Sequence, residues 1–325
     1  MLVAVIGASG LIGNNLCRAL LQSGYSVKAL IHHNTASLED LPLEKVKGDI
    51  LDPEGLQAFV EGCDVVFHTA GKISIDGDHD GMVHKVNVEG TKNVVEACLA
   101  KGIQRLIYVS SIHAFKQQPE SLLDESRALV GSEGFKHDIA KSDAEKEVMK
   151  GIAQGLETVI LVPTAAIGPY DFEPSLLGQG LIKLYQRKLP TLIDGGFDWI
   201  DVRDIAKVAL AAMKKGVPGN RYVISGVWQT IKELSLLIEE ITGVPSPKFT
   251  SPHWLAKIGV PLAKVLSRMT QTPMLYTHET LEVLLRCNRN ISSLKARREL
   301  NFYPRPLKET LQDTFNWYKQ AGKIE

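Results

Sequence analysis

Short apolar runs alternate with amphipathic stretches through the first half of the chain. The runs are rich in Val, Ile and Leu, which is typical of strands that a parallel sheet covers on both faces. They predict strands at residues 2–6, 26–31, 45–48, 64–68, 105–109 and 157–162. Apolar positions at helical spacing predict helices at 11–23, 53–61, 83–101 and 139–154. This alternation indicates βαβ units, so we predict an α/β fold with a doubly wound parallel sheet.

The pattern changes after residue 163. Prolines and glycines become frequent, one more helix–strand unit follows at 202–214 and 221–225, and the rest is mainly helical. We therefore predict a Rossmann domain made of residues 1–163 and 199–226. Residues 164–198 and 227–325 are predicted to form a smaller, mainly helical domain, with an amphipathic helix at 254–269 packed on it. No linker-like tract separates the two, so we expect them to pack closely around a cleft.

Composition and charge exclude several classes of protein. Lys+Arg and Asp+Glu both total 37, so the formal net charge is zero. We therefore expect neither a nucleic acid nor an anionic membrane as partner, because both attract basic surfaces. The four cysteines are scattered without a CxxC pair, which indicates reduced thiols of a cytoplasmic protein and no metal site. We expect no leader segment, and no apolar run reaches the roughly 18 residues that cross a bilayer.

A glycine-rich loop follows the first strand and opens the first helix. Its G-x-x-G-x-x-G spacing is a variant of the dinucleotide fingerprint, in which glycines permit a tight turn and a close approach of the pyrophosphate. The N-terminus of the helix adds N–H donors and a positive dipole. We predict that the loop binds a dinucleotide through Gly7, Ser9, Gly10, Leu11, Ile12 and Gly13.

The end of the second strand bears on the choice between NAD and NADP. An acid there bonds the ribose 2′-hydroxyl of NAD, whereas this strand ends in His32 and His33, and the first acid is Glu39. Two imidazoles could hydrogen-bond a 2′-phosphate. We therefore predict NADP as cofactor, with NAD as the alternative, and the alternative view of the histidines is that they are ordinary loop residues.

Later strand ends carry further candidate cofactor residues. Asp49 and Ile50 follow the third strand, and Thr69, Ala70 and Gly71 follow the fourth. Ligands of open α/β sheets bind at the carboxyl edge of the strands, where small residues let the backbone approach. The repetition at successive strands makes this edge the expected binding site.

These motifs together resemble the extended short-chain dehydrogenase/reductase superfamily. Within it the chain is most similar to the NAD-dependent epimerase/dehydratase family and its dihydroflavonol reductase-like branch. The resemblance implies a Rossmann domain that binds NAD(P), a C-terminal substrate domain, and redox chemistry on an alcohol or ketone. It adds Asn87, Ser110, Pro163 and Ala166 to the expected cofactor contacts. The motifs are GASGLIG (7–13), GDILD (48–52), FHTAG (67–71), NVEGTKNVVEAC (87–98), YVSSIHAF (108–115), LVPTAAIGP (161–169), DWIDVRDIA (198–206) and SSLKARRELNFYPRPLKETLQDT (292–314).

The family's catalytic set is a Ser or Thr, a Tyr, and a Lys four residues after the Tyr. The resemblance places these roles on Ser111, His137 and Lys141, so a histidine replaces the tyrosine. In the family the tyrosine exchanges the proton of the substrate oxygen, the lysine also holds the nicotinamide ribose, and the serine bonds the substrate oxygen. Lys141 and an oxidised nicotinamide are both positive, so they should lower the pKa of His137 and keep its ring neutral. A neutral ring suits alcohol oxidation better than ketone reduction.

Three interpretations of His137 stay open. It is a working acid/base, or the protein binds cofactor with little turnover, or another group such as Asp138 or His113 moves the proton. We predict an NAD(P)-dependent oxidoreductase that interconverts an alcohol and a carbonyl on a small or medium, partly apolar substrate. The alternatives are an NAD(P)-binding sensor or scaffold and a sugar-nucleotide epimerase. A dehydratase is disfavoured because Ile112 and His113 stand where that branch carries an acidic pair. A homodimer is the alternative to a monomer.

Overall fold

Seven parallel strands form the central sheet of the protein. The computed structural model describes residues 1–33, 35–74, 77–258 and 277–325. The spatial order of the strands is β10-β6-β5-β4-β1-β2-β3. Their bounds are β1 Leu2–Ile6, β2 Ser26–Ile31, β3 Glu44–Lys47, β4 Val65–His68, β5 Arg105–Val109, β6 Thr158–Pro163 and β10 Arg221–Ile224. The predicted doubly wound sheet is confirmed.

Helices cover both faces of this sheet because its strands are apolar on both sides. Val3 and Val5 of β1 lie in one hydrophobic core, whereas Ala4 and Ile6 lie in the other. The helices between consecutive strands of this sheet include α1 Leu11–Gln22, α2 Pro53–Val60, α3 Met82–His84, α4 Gly90–Ala100, α5 Lys136–Ala153 and α7 Val202–Lys215. A π-helical turn at Lys85–Glu89 joins α3 to α4, inside the stretch that the sequence predicts as one helix.

The strand order reverses its direction at β1. Strand β1 pairs with β2 on one side and with β4 on the other, so the connections leave it in opposite directions. The loops that follow β1 and β4 therefore part above the sheet and leave a crevice. In open α/β sheets this crevice is where ligands bind.

Two small sheets and five further helices lie in the described residues after 163. Strand β9, Gly196–Asp201, pairs with β7, Ala165–Ile167, and with β11, Val227–Thr230. Strands β8, Leu192–Ile193, and β12, Thr250–Ser251, form the second sheet. The helices are α6 Leu176–Tyr185, α8 Ile231–Thr242, α9 His278–Arg286, α10 Leu294–Leu300 and α11 Leu307–Gln320.

The division of the chain into two domains stays a prediction. Ala296 and Leu300 of α10 pack in the core of the seven-stranded sheet, whereas Leu311 and Phe315 of α11 belong to a separate core. Most of the amphipathic pattern at 254–269 lies outside the described residues. Within those residues, no helix combines the length and the apolar character that crossing a membrane requires.

One helix begins earlier than its pattern predicts. Helix α5 starts at Lys136 and not at 139, so His137 lies in its first turn. The polar residues at this end hide the helical period, because the helix buries His137, Asp138 and Lys141 along with its apolar positions. This early start places His137 and Asp138 of the predicted site on the helix.

Candidate active site

A cleft of about 500 Å³ opens at the carboxyl edge of β1, β4, β5 and β6. One wall consists of loops that follow these strands, and the other consists of residues between 175 and 234 and between 279 and 284. The cleft contacts most of the residues that the sequence predicts for cofactor binding and catalysis. These are Gly7, Gly10, Leu11, Ile12, Gly13, Thr69, Gly71, Ser110, Ser111, His137, Lys141, Pro163 and Ala166.

The three glycines of the loop have different structural roles. A Cβ on Gly7, whose φ is +88°, would lie 2.5 Å from the backbone nitrogen of Ala70. A Cβ on Gly13 would lie 2.1 Å from the carbonyl oxygen of Gly7. At Gly10 the nearest atom would be 3.5 Å away, an ordinary contact. Gly7 and Gly13 are thus required by the fold itself, whereas Gly10 leaves space on the side of the cleft.

The N-terminus of α1 fits the phosphates of a dinucleotide. Gly10 is the N-cap of this helix, and neither a capping side chain nor an acid occupies the first turn. The first N–H groups of a helix have no intrahelical acceptor, so a helix left uncapped binds an anion readily. The open space at Gly10 lies at the same point. Both observations fit a pyrophosphate held by the residues of this loop.

The loop after β2 supports the glycine loop from below. The amide of Asn14 donates to the carbonyl of Ser37 at 2.5 Å, and the Ser37 hydroxyl donates to the carbonyl of Ser9 at 3.3 Å. Thr69 donates its hydroxyl to the carbonyl of Ile6 at 2.9 Å and so joins the ends of β4 and β1. Ser9 therefore contributes to the site through its backbone, as a fixed point of the loop.

The two histidines after β2 lie beside a carboxylate. Nε2 of His32 is 3.3 Å from Oδ2 of Asp49, and both side chains are about half exposed. The His33 ring packs on the His32 ring with 3.5 Å between centroids. Ile50, in contrast, points into the core, where its side chain contacts Gly90. The sequence shows no acid directly after β2, but the fold brings one there from the end of β3.

Lys141 reaches the cleft from α5. Its Nζ lies so close to Gly71 that a Cβ on that glycine would be 2.8 Å from it. Burial lowers the pKa of the Lys141 ammonium to about 8, and the nearby carboxylate of Glu145 raises it in part. Lys141 is therefore still mainly protonated at pH 7. A buried cation facing the crevice fits the hydroxyls of a nicotinamide ribose.

The π-helical turn fixes the strand end next to Lys141. Asn87 lies in this turn, accepts the backbone N–H of Lys72 at 2.8 Å and donates to the Lys72 carbonyl at 2.9 Å. Both polar atoms of the Asn87 amide are thus used on one backbone residue. Its predicted cofactor contact stays a prediction, and its visible role is to hold the 71–72 backbone against the cleft.

His137 is buried and neutral. Burial is the main reason that its pKa falls to about 3, and His113 and Lys141 lower it further. A hydrogen bond between the ring and the backbone of Lys72 raises the pKa in part. The Nδ1 atom of His137 is buried and has no hydrogen-bond partner among the described residues. The lowered pKa agrees in direction with the expectation from the sequence.

A second histidine stands on the short turn that begins at Ser111. The Ser111 hydroxyl accepts the backbone N–H of His113 at 3.2 Å and caps a 3-10 turn at Ile112–Ala114. Nδ1 of His113 is 3.2 Å from Oδ1 of Asp138 on α5. The His113 and His137 rings meet edge to face, with centroids 5.9 Å apart. Ser111, His113 and Asp138 all line the cleft.

The carboxylate of Glu145 is buried on α5, one helical turn after Lys141. The Ser110 hydroxyl donates to Oε2 of Glu145 at 2.5 Å, and the Arg221 guanidinium pairs with Oε1 of the same group. This network joins β5, α5 and β10 beneath Lys141, which lies one helical turn before Glu145. Ser110 faces the cleft but spends its hydroxyl on this network. The sequence analysis missed Glu145. Its spacing of four residues from Lys141 is the signal that could have found it, because such a spacing places both side chains on one face of a helix.

The far end of the cleft is apolar. Side chains from α6, β9, α8 and α9 form its wall, and none of them was predicted from the sequence because they come from separate segments. They are Leu176, Leu177, Leu181, Leu184, Leu189, Phe197, Trp199, Ile231, Leu234, Val283 and Leu284. Ser175, Glu279 and Thr280 also line this side, so the wall is mainly but not entirely apolar. The cleft therefore joins a polar reaction end to a large apolar compartment.

Comparisons with known proteins agree with this geometry. The family model described as NAD dependent epimerase/dehydratase family matches residues 3–225. Over the full length of both chains, this chain is 32% identical to "Sterol demethylase protein B" of Methylococcus capsulatus. It is 29% identical to a "Putative dihydroflavonol 4-reductase" of Synechocystis sp., covering 99% of this chain and 95% of that protein. The crystal structure of gox2253 superposes with a TM-score of 0.83 at 26% identity, covering 100% and 99% of the two chains.

Proposed function

The chain belongs to the NAD-dependent epimerase/dehydratase family, and we propose that it interconverts a secondary alcohol and a ketone on a bulky apolar substrate. The observation that carries this proposal is the continuous cleft from the glycine loop through Ser111 and Lys141 to the leucine-rich wall. Membership of this family supports an NAD(P)-dependent oxidoreductase activity for the protein. The class of substrate is inferred from the lining of the cleft.

The lining favours a molecule with one oxygen function and a large apolar body. Ligand pockets typically enclose about 300–1,000 Å³ and use a few polar groups to orient the ligand. Here Ser111, His113 and Lys141 line the cleft near the strand ends. The opposite wall is mainly aliphatic or aromatic, and its polar residues are Ser175, Glu279 and Thr280. A sugar nucleotide would leave most of its hydroxyls and phosphates against this wall without partners, at a large cost in free energy. The name of the full-length relative, a sterol demethylase protein, supports the same substrate class.

We assign the reacting end of the substrate to Ser111 and Lys141. The Ser111 hydroxyl hydrogen-bonds the substrate oxygen and stabilises the charge that develops on it. Lys141 holds the ribose and supplies a positive potential at the bottom of the cleft. His137 fills the position of the family's tyrosine as a neutral ring. The nicotinamide, when bound, accepts or supplies the hydride.

The electrostatics favour the direction of alcohol oxidation. His137 has a pKa far below neutrality, so it has no proton to give to a forming alkoxide at pH 7. The reduction of a ketone therefore needs another donor, whereas the oxidation of an alcohol needs only an acceptor. The cytoplasmic location, the homodimer and NADP in preference to NAD stay predictions.

Stopped-flow measurement of nicotinamide fluorescence tests the proposal. We expect hydride transfer with polycyclic or long-chain secondary alcohols and none with UDP-sugars. Lys141→Met should lower the rate by about 10²-fold or more, because the lysine both holds the cofactor ribose and supplies the positive potential at the bottom of the cleft. Lys150→Met is the matched control on the exposed face of the same helix and should leave the rate unchanged. Tight cofactor binding without transfer to any substrate of either class would refute the oxidoreductase and favour the sensor.

A further inference from the structure

We propose that His113, held by Asp138, is the residue that exchanges the proton with the substrate oxygen, and that His137 does not. This assignment rests on the proposed oxidoreductase function and names a further catalytic residue for it. It follows from the positions of the two histidines relative to the cleft, their neighbours and their access to solvent.

His113 is the better placed of the two rings. It stands two residues after Ser111 on the turn that the Ser111 hydroxyl caps, so both side chains reach the same end of the cleft. Its side chain is 29% exposed, and the Nδ1 atom contacts Asp138. The second ring nitrogen, Nε2, is left for a substrate. A proton received there can pass to solvent.

His137 also lines the cleft, but it is buried, and the carboxylate of Asp138 contacts His113. Its Nδ1 atom is buried without a partner, and the Lys72 backbone hydrogen-bonds the ring. A hydrogen bond to the Lys72 carbonyl requires an N–H on the ring, so the proton of the neutral tautomer is already committed. Burial and two neighbouring basic groups hold its pKa at about 3. A base this weak is a poor acceptor for the proton of an alcohol at neutral pH.

Asp138 gives His113 what His137 does not have. A carboxylate at Nδ1 fixes the tautomer with the proton on that nitrogen and leaves the lone pair on Nε2. It also stabilises the imidazolium that forms when Nε2 takes a proton, as the aspartate does in serine hydrolases. Asp138 is itself nearly buried at the N-terminal turn of α5, so its position is fixed by the helix. The titratable groups that face His113 are this carboxylate and the His137 ring, with Lys141 beyond.

The proposed oxidation consists of one proton transfer and one hydride transfer. The O–H bond of the substrate alcohol breaks, its proton goes to Nε2 of His113, and the oxygen forms the carbonyl. The C–H bond on the same carbon breaks, and the hydride goes to the oxidised nicotinamide dinucleotide. In the reverse direction the imidazolium returns the proton to the oxygen. His137 stays neutral throughout and packs against the working ring.

Single-turnover measurements with His113→Ala, His137→Gln and His84→Gln separate the two histidines. His84 is exposed and outside the cleft, so its variant is the matched control. We expect His113→Ala to slow hydride transfer by about 10²–10⁴-fold. The affinity for NAD(P)H should change less than about threefold, because His113 is not assigned to the cofactor. Added imidazole should restore part of the rate to His113→Ala alone, and His137→Gln should lose less than about tenfold.

A second readout does not depend on turnover. In the cofactor-free protein at pH 7.5, the ¹⁵N resonances of the His113 ring should show the proton on Nδ1, and Asp138→Asn should abolish this preference. Hydride transfer that survives His113→Ala, or a larger loss in His137→Gln without rescue, would overturn the assignment and leave the oxidoreductase in place. Absence of transfer by the unmodified protein with every alcohol tested would overturn the proposed function and the assignment with it.

Discussion

The glycine loop gives a prediction that separates folding from cofactor binding. Gly10 has φ −75° and ψ 168°, which any residue can adopt, and a Cβ there meets nothing closer than 3.5 Å. We therefore expect Gly10→Val to fold with a Tm within about 1 °C of the parent. Its side chain would occupy the space above the uncapped N-terminus of α1. Losing two charge-assisted N–H contacts of about 1.5–3 kcal/mol each would weaken dinucleotide binding by roughly 10²–10⁴-fold.

Gly13→Ala is the matched opposite case. Its Cβ would stand 2.1 Å from the Gly7 carbonyl oxygen, so the backbone of a packed turn must move. Overpacking of this kind costs about 1–3 kcal/mol, which for a chain of 325 residues lowers Tm by about 2–5 °C. Differential scanning calorimetry and fluorescence titration with NADH and NADPH check both variants. Full dinucleotide affinity in folded Gly10→Val, or an unchanged Tm in Gly13→Ala, would contradict the roles assigned to these glycines.

Two further predictions concern charge. His32→Ala should weaken NADPH binding about tenfold more than NADH binding, and Asp49→Asn should strengthen NADPH binding, because the carboxylate beside His32 would repel a 2′-phosphate. Equal changes for both cofactors in a fluorescence titration would count against this site for the phosphate. Burial raises the pKa of Asp198 to about 6, so the neutral carboxyl stabilises the fold below about pH 4, and this contribution is lost as the pH rises through 6. Relative to Asp198→Asn, the free energy of unfolding of the parent should therefore fall by about 1–3 kcal/mol from pH 4 to pH 7, and a pH-independent difference in urea unfolding would refute this.

The central fold could be predicted from the sequence because its signals are local. Each strand of the sheet is a short apolar run between turn residues, and β1, β2 and β5 have the bounds that the pattern predicts. The glycine loop is recognisable for the same reason, since strand, turn and helix are adjacent in the chain. Helix α5 shows the limit: its first turn buries polar residues, so the apolar period alone places its start three residues late.

The site was only partly predictable because its partners are distant in the chain. Asp49 reaches His32 from another strand, and the Arg221 guanidinium reaches Glu145 across 76 residues. No spacing rule announces such pairs. The apolar wall of the cleft has the same origin, since α6, β9, α8 and α9 each contribute a few side chains. The sequence could name the residues at strand ends, but it could not show which tertiary contacts tune them.

The predicted replacement of the family's tyrosine by His137 would change the balance of charge in the site during the proposed oxidation. Before the reaction the oxidised nicotinamide and Lys141 are both positive, and the low pKa of His137 keeps a third cation away from them. Hydride transfer removes the positive charge from the nicotinamide and, at the same time, the substrate releases a proton. If that proton stays on His113, the net charge of the site is unchanged, and Asp138 is the carboxylate already placed to balance it. A proton on His137 would instead meet Lys141 in a buried setting without a carboxylate partner of its own.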